Sequence, residues 1–243
     1  MVAVPALMSG CGGGSGGGAQ LEIFAAASLA GAFERLADDF EAAHPDVDVR
    51  LTLGGSSSLA RQILDGAEAD VFVSADEATM AGVVDAHKAG GSVLFARNAL
   101  ALVVEPGNPR DIADLADLAD PGLVLALCAL QVPCGRLAVT LLARAGGEVR
   151  ADSLEPDVRG VVSKVALGEA DVGIVYTSDV RAAGRGVAGI EIEASRSDPD
   201  LQAGYVAAVV EGSRARGWAR AWVGALRSRR WQRVLQGFGL LAP

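Results

Sequence analysis

The segment VDVRLTLGGSSSLARQILDG, residues 47–66, changes period at its centre. Val47, Val49, Leu51 and Leu53 alternate with polar side chains, the period of a half-buried strand. Two glycines and three serines follow, and SLARQILDG then reads as an amphipathic helix stopped by Gly66. A loop of this kind between strand and helix admits three uses. It exposes a nucleophile, cradles a bound anion, or merely caps the helix.

The same unit recurs on both sides. Upstream, LEIFAA reads as a buried strand, and Leu29, Phe33, Leu36 and Phe40 follow at helical spacing until HPD ends the helix. Downstream, ADVFVSA is a third strand, with a helix from about Glu77 to His87. The pattern then restarts with ALALVVEPGNP. Further strands are GLVLALC, ADVGIVY, GIEIEA and YVAAVVEG, and helices are expected over DIADLADLA, GRLAVTLLARAG, DVRGVVSKVALG and around Trp218, Trp222 and Trp231. Repeated βα units predict an α/β fold whose mostly parallel sheets carry helices on both faces. Two rounds, separated near Arg97 and rejoined near Val210, predict two lobes. Residues 20–96 with 211–243 form one, and 97–210 the other.

Composition narrows the function classes. The chain has 243 residues, 51% apolar and 21% charged, enough for a large core and too apolar for global disorder. A formal net charge of −9 argues against nucleic acid or an anionic membrane surface as the main partner. Lys88 and Lys164 are the only lysines.

Residues 1–19 stand apart. MVAVPALMSGC is shorter than the roughly 20 apolar residues a membrane span needs, and GGGSGGGA follows it. The stretch resembles the end of a bacterial lipoprotein signal peptide, with Met8-Ser9-Gly10 before the cleavage point and Cys11 as the lipidated residue. The charged region of such a signal would lie upstream of Met1. The run after Cys11 is then a flexible tether. The plainer alternative is an apolar leader with an incidental cysteine. Cys128 and Cys134, in CALQVPC, either close a small disulfide in an exported protein or remain buried thiols.

In open α/β sheets, ligands bind beyond the carboxyl ends of the strands. The residues expected there are Ser28, the run Gly54 to Ser58, Gln131 to Gly135, Glu155 to Gly160, and Tyr176. Most open a helix, where free N–H groups and the dipole favour an anion. No lysine stands among them, and Arg159 is the one cation. Taken singly, each has a bland reading: Ser28 as an N-cap, Ser56 to Ser58 as turn residues, Tyr176 as a half-buried aromatic, Arg159 as a surface ion-pair partner. The nucleophile reading lacks its partners. His44 lies in a turn and His87 near a helix end, and GGSSS has serine where the second glycine of G-x-S-x-G belongs. No metal-binding or phosphate-loop motif occurs in the sequence.

FAAASL, SSSLARQI, ADVFVSAD, VPCG, DVRG and GIVYTSD stand in this order from about Leu21 onward. Together they resemble the molybdate-binding proteins of bacterial ABC importers. That resemblance implies a two-lobed periplasmic-binding-protein fold of type II, no enzymatic activity, no cofactor, and molybdate or tungstate held between the lobes by neutral donors. It implies ligand roles for the hydroxyls of Ser28, Ser56 and Tyr176, with Ser57 as an additional candidate, and for the backbone N–H groups of Cys134 and Val158. Many relatives have alanine at the position of Cys134, a change a backbone donor tolerates. A bridge from Cys134 to Cys128 would stiffen that loop, and its reduction would weaken binding. The implied partners are the oxyanion and a membrane permease, with no nucleic acid. The protein is expected as a monomer, lipid-anchored through Cys11 on the outer face of the cell membrane. Molybdate, tungstate and sulfate are fully deprotonated at neutral pH and suit a cage of donors, whereas phosphate keeps a proton and wants an acceptor. A sulfate or other oxyanion receptor, and more distantly a serine-dependent hydrolase, are the alternatives. A regulator's sensing domain is a third, without a DNA-binding segment to accompany it.

Overall fold

The computed structural model describes residues 18–146 and 150–243. Cys11 and most of the expected tether lie outside the described residues. The first strand–helix round comprises β1 (Ala19–Ala26), α1 (Ala30–Ala43), β2 (Val47–Gly54), α2 (Ser56–Leu64), β3 (Val71–Ser74) and α3 (Glu77–Asp85). The long β4 (Val93–Val104) leads into β5 (Leu125–Cys128), α4 (Pro133–Arg144), β6 (Ser153–Glu155) and α5 (Val158–Ala166). After these come β7 (Val172–Tyr176), α6 (Thr177–Ala183), β8 (Ala188–Glu191) and α7 (Glu193–Ser197). β9 (Gln202–Val209) returns, followed by α8 (Arg216–Ala225) and α9 (Arg229–Gly237).

The first sheet has the order β2-β1-β3-β9-β4 and the second β8-β4-β7-β5-β6. β4 serves both: Val93 to Ala99 pair with β9, and Leu100 to Val104 pair with β7. β1 lies parallel to β2 and β3, and β5 parallel to β6 and β7. The pairings made by β4, β8 and β9 with one another and with β3 and β7 are antiparallel. Each sheet is therefore mixed rather than mostly parallel. One strand carries the chain out and its neighbour carries it back, so the two crossing strands must run in opposite directions.

β9 was expected in the second lobe. Its N–H and C=O groups are instead satisfied by β3 and β4, with Val71↔Val209 through Ser74↔Val206 on one side. By pairing it belongs to the first sheet.

Aromatic packing joins the C-terminal helices to the first lobe. Phe33 and Phe40 of α1 meet Trp222 of α8 at ring-centroid distances of 5.8 and 5.3 Å, and Trp222 meets Trp231 of α9 at 4.8 Å. Full burial of a large apolar side chain contributes about 1.5–3 kcal/mol, so this cluster is a main anchor of that lobe. The α1 helix ends where Pro45 forces His44 out of helical geometry, with φ −136° and ψ 75°.

Candidate functional site

The strand ends of the two lobes converge on one small cavity. It offers about 20 Å3 to the centre of a water-sized sphere. Ser28, Gly54, Gly55, Ser56 and Ala75 line it from the first lobe, and Cys134, Asp157, Val158 and Tyr176 from the second. All five primary positions expected from the sequence thus border a single space.

Ser56 is the first residue of α2 and is 2% exposed. Its Oγ accepts the N–H of Ala75 at 3.0 Å, which leaves its own proton free for another acceptor. Ser28 lies in a single 3-10 turn before α1 and caps nothing, against the plain capping reading. Its Oγ instead meets the Tyr205 hydroxyl at 2.7 Å. Tyr176 closes β7 at 1% exposure, and its Oη has no hydrogen-bond partner. Burial pushes its phenol well above the ordinary range, so it is a donor at any physiological pH.

Two helix N-termini complete the lining. Cys134 is the second residue of α4, after Pro133, and Val158 the first of α5. Helix geometry gives neither N–H an internal acceptor, and among the described residues no other group takes them. The Asp157 carboxylate is engaged with its own helix, its Oδ1 accepting the N–H groups of Arg159 and Gly160 at 2.9 and 3.2 Å. Arg159 lies outside the cavity and is exposed.

Cys128 and Cys134 form a disulfide, with Cα atoms 5.8 Å apart, tying the end of β5 to the first turn of α4. Gly135 beside it is required by space, because a Cβ there would overlap the carbonyl of Ala129.

Ser57 does not line the cavity. Its hydroxyl donates to the Gln131 carbonyl at 2.5 Å across the cleft. Arg136, which the sequence did not single out, makes a second bridge. Its guanidinium pairs with Asp76 and donates to Thr79 Oγ1 at 2.8 Å, both on the opposite lobe, and to the Gln131 carbonyl at 2.6 Å. Asp76 also caps α3 through the Thr79 N–H. With these bridges made, the lobes are shut against each other.

A hinged α/β pair that shuts on a pocket of hydrogen-bond donors is the architecture of a solute receptor. Residues 21–241 match the family described as bacterial extracellular solute-binding protein, and the chain belongs to it. Among its relatives is the molybdate-binding protein ModA of Mycobacterium tuberculosis, 35% identical over 228 residues, 93% of this chain and 86% of that protein. The periplasmic molybdate-binding protein of Azotobacter vinelandii shares the fold at TM-score 0.80 and 22% identity, covering 92% of this chain and 99% of that one. The sulfate-binding protein SubI of M. tuberculosis also shares it, at TM-score 0.80 and 20% identity, covering 91% and 86%. The resemblance drawn from the ordered motifs is borne out, as is the two-lobed fold.

Proposed function

We propose that this protein captures molybdate, and tungstate with it, in the cavity between its lobes and delivers it to an ABC permease. The ligand set is the hydroxyls of Ser28, Ser56 and Tyr176 with the backbone N–H groups of Cys134 and Val158. Relatedness to ModA over most of both chains supports the choice of anion. One observation carries the site: a phenol hydroxyl, buried and without an acceptor, lines the same small space as two serines and two free helix N-termini. Such a set lacks only an acceptor. Hydrogen bonds to a charged partner are worth about 1.5–3 kcal/mol each, so several hold a dianion without a cation. The volume fits one ion. Taken as a sphere and widened by a water radius of about 1.4 Å, it has a radius of roughly 3 Å, the size of one tetrahedral oxyanion stripped of water.

The family is extracellular, so the protein works outside the cytoplasm. No helix among the described residues is long and apolar enough to cross a membrane. Attachment through a lipid on Cys11, and action as a monomer, complete the proposal. The closing bodies are proposed as the units built on the two sheets, exchanging near Ala99 and Gln202.

A thermal-shift titration with molybdate, tungstate, sulfate and phosphate at matched ionic strength tests this reading. At a hundredfold the dissociation constant, a ligand stabilises by about 2.7 kcal/mol. Stabilisation by molybdate and tungstate alone is the expected result. An equal response to sulfate would keep the site and overturn the choice of anion, and no response to any of the four would overturn both.

A further inference from the structure

Behind the cavity, the two crossing strands carry a polar chain that ends on Ser28. Asn98 of β4 and Tyr205 of β9 are both fully buried. Tyr205 stands opposite Ala96, and Asn98 lies two residues further along on the same face, so the two side chains are diagonal neighbours. The Asn98 Nδ2 lies 2.8 Å from Ser178 Oγ and 3.3 Å from the Tyr205 hydroxyl, which is 2.7 Å from Ser28 Oγ.

The direction of every proton in this chain follows from one end. Ser178 Oγ donates to the Ser28 carbonyl at 3.3 Å, and a carbonyl can only accept. With its single proton so placed, Ser178 must accept from Asn98. That orients the amide with its NH2 toward Ser178 and Tyr205. The opposite orientation would bury two N–H bonds without an acceptor, whereas the present one leaves only the carbonyl Oδ1 unpaired. Tyr205 then accepts from Asn98, and among its hydrogen-bond partners in the described residues Ser28 Oγ is the one acceptor for its own proton. Ser28 then accepts from behind on one lone pair, and its own proton is left free for the cavity.

We infer that Asn98 and Tyr205 are positioning residues that keep the Ser28 proton for the ligand, making the cavity favour anions that carry no proton. This deepens the oxyanion reading and rests on it. The ordered chain also polarises Ser28, since each bond in a donor series strengthens the next. Because the relay lies on the two strands that link the lobes, Ser28 is aligned from the hinge and not from the loop that bears it.

The test is a double-mutant cycle on the whole chain, with sodium molybdate and sodium phosphate titrated by calorimetry. Tyr205→Phe keeps the ring packed between Phe95 and Tyr176 and removes only the hydroxyl. It should weaken molybdate binding about tenfold and narrow the preference for molybdate over phosphate. In a Ser28→Ala background the same change should cost nothing further, because Tyr205 acts through Ser28. Asn98→Ala, as a second route should Tyr205→Phe not fold, should show the same dependence on Ser28 with a smaller loss. Losses that multiply in the double variant, or an unchanged anion preference, would overturn the relay while leaving the receptor intact. A wild-type chain that binds none of molybdate, tungstate or sulfate would overturn both.

Discussion

Tyr176 is the residue where stability and binding pull apart. A buried hydroxyl without a partner destabilises the shut, unliganded form by about 1–3 kcal/mol, and the same group strengthens the hold on an anion. Tyr176→Phe should therefore leave the melting temperature of the free protein equal or higher, while weakening molybdate binding roughly tenfold. Calorimetry and thermal unfolding on one preparation check both signs. A fall in both would mean that the hydroxyl has a structural partner in solution. The cavity-lining residues were legible in the sequence because each stands where a strand ends and a helix starts, a place with its own spacing signal. Asn98 and Tyr205 were not, because both sit inside strands. Tyrosine in YVAAVV reads as a good strand former. Only the lone amide in the apolar run VLFARNALALVV hinted at a buried polar contact. Ser57 could not be separated from Ser56 by pattern, since the turn that points one inward and the other across the cleft is set by packing.

The α6 helix shows how an element can depend on pH. Asp179 in its first turn accepts the Tyr176 N–H at 3.1 Å and is 6% exposed. Burial pushes its carboxyl up to about 7, with the backbone bond to Tyr176 pulling the other way. Asp157 raises it slightly and Arg159 lowers it. The folded value lies above the ordinary 3.8, so the folded state keeps this proton longer than the unfolded chain does. The contribution of Asp179 is thus whole below about pH 4 and declines as pH rises to about 7, by on the order of 4 kcal/mol in total. Asp179→Asn should match the wild type in urea unfolding at pH 4 and exceed it at pH 8. Parallel stability curves would sink that assignment. Most of these elements were readable from period alone. β6 was missed because three residues are too few to show alternation, and DIADLADLA shrinks to a 3-10 turn over Leu115–Ala119. The sheet to which β9 belongs was not readable at all. Its partners lie far away in sequence, and a buried strand looks alike in either lobe.

At the scale of the whole molecule, the fit of the lobes is decided by backbone. A Cβ placed on Gly55 would stand 2.6 Å from the Pro156 carbonyl of the opposite lobe. Gly55 itself has φ −61° and ψ 129°, a conformation alanine adopts without strain. Gly55→Ala should thus leave the open protein as stable as the wild type, or slightly more so. It should oppose closure by about 1–3 kcal/mol and weaken molybdate binding accordingly. Small-angle scattering should show the wild type contracting on addition of molybdate and the variant contracting less; equal contraction with equal affinity would contradict this. The meeting of Gly55 with Pro156 has a wider consequence. Where main chain stops against main chain, the gap is a fixed gauge that no change of rotamer can reset. An oversized ion would hold the jaws ajar, and an undersized one would leave donors out of reach. A shift of ion preference in this lineage would then come through altered loop length or hinge angle more readily than through exchange of the serines.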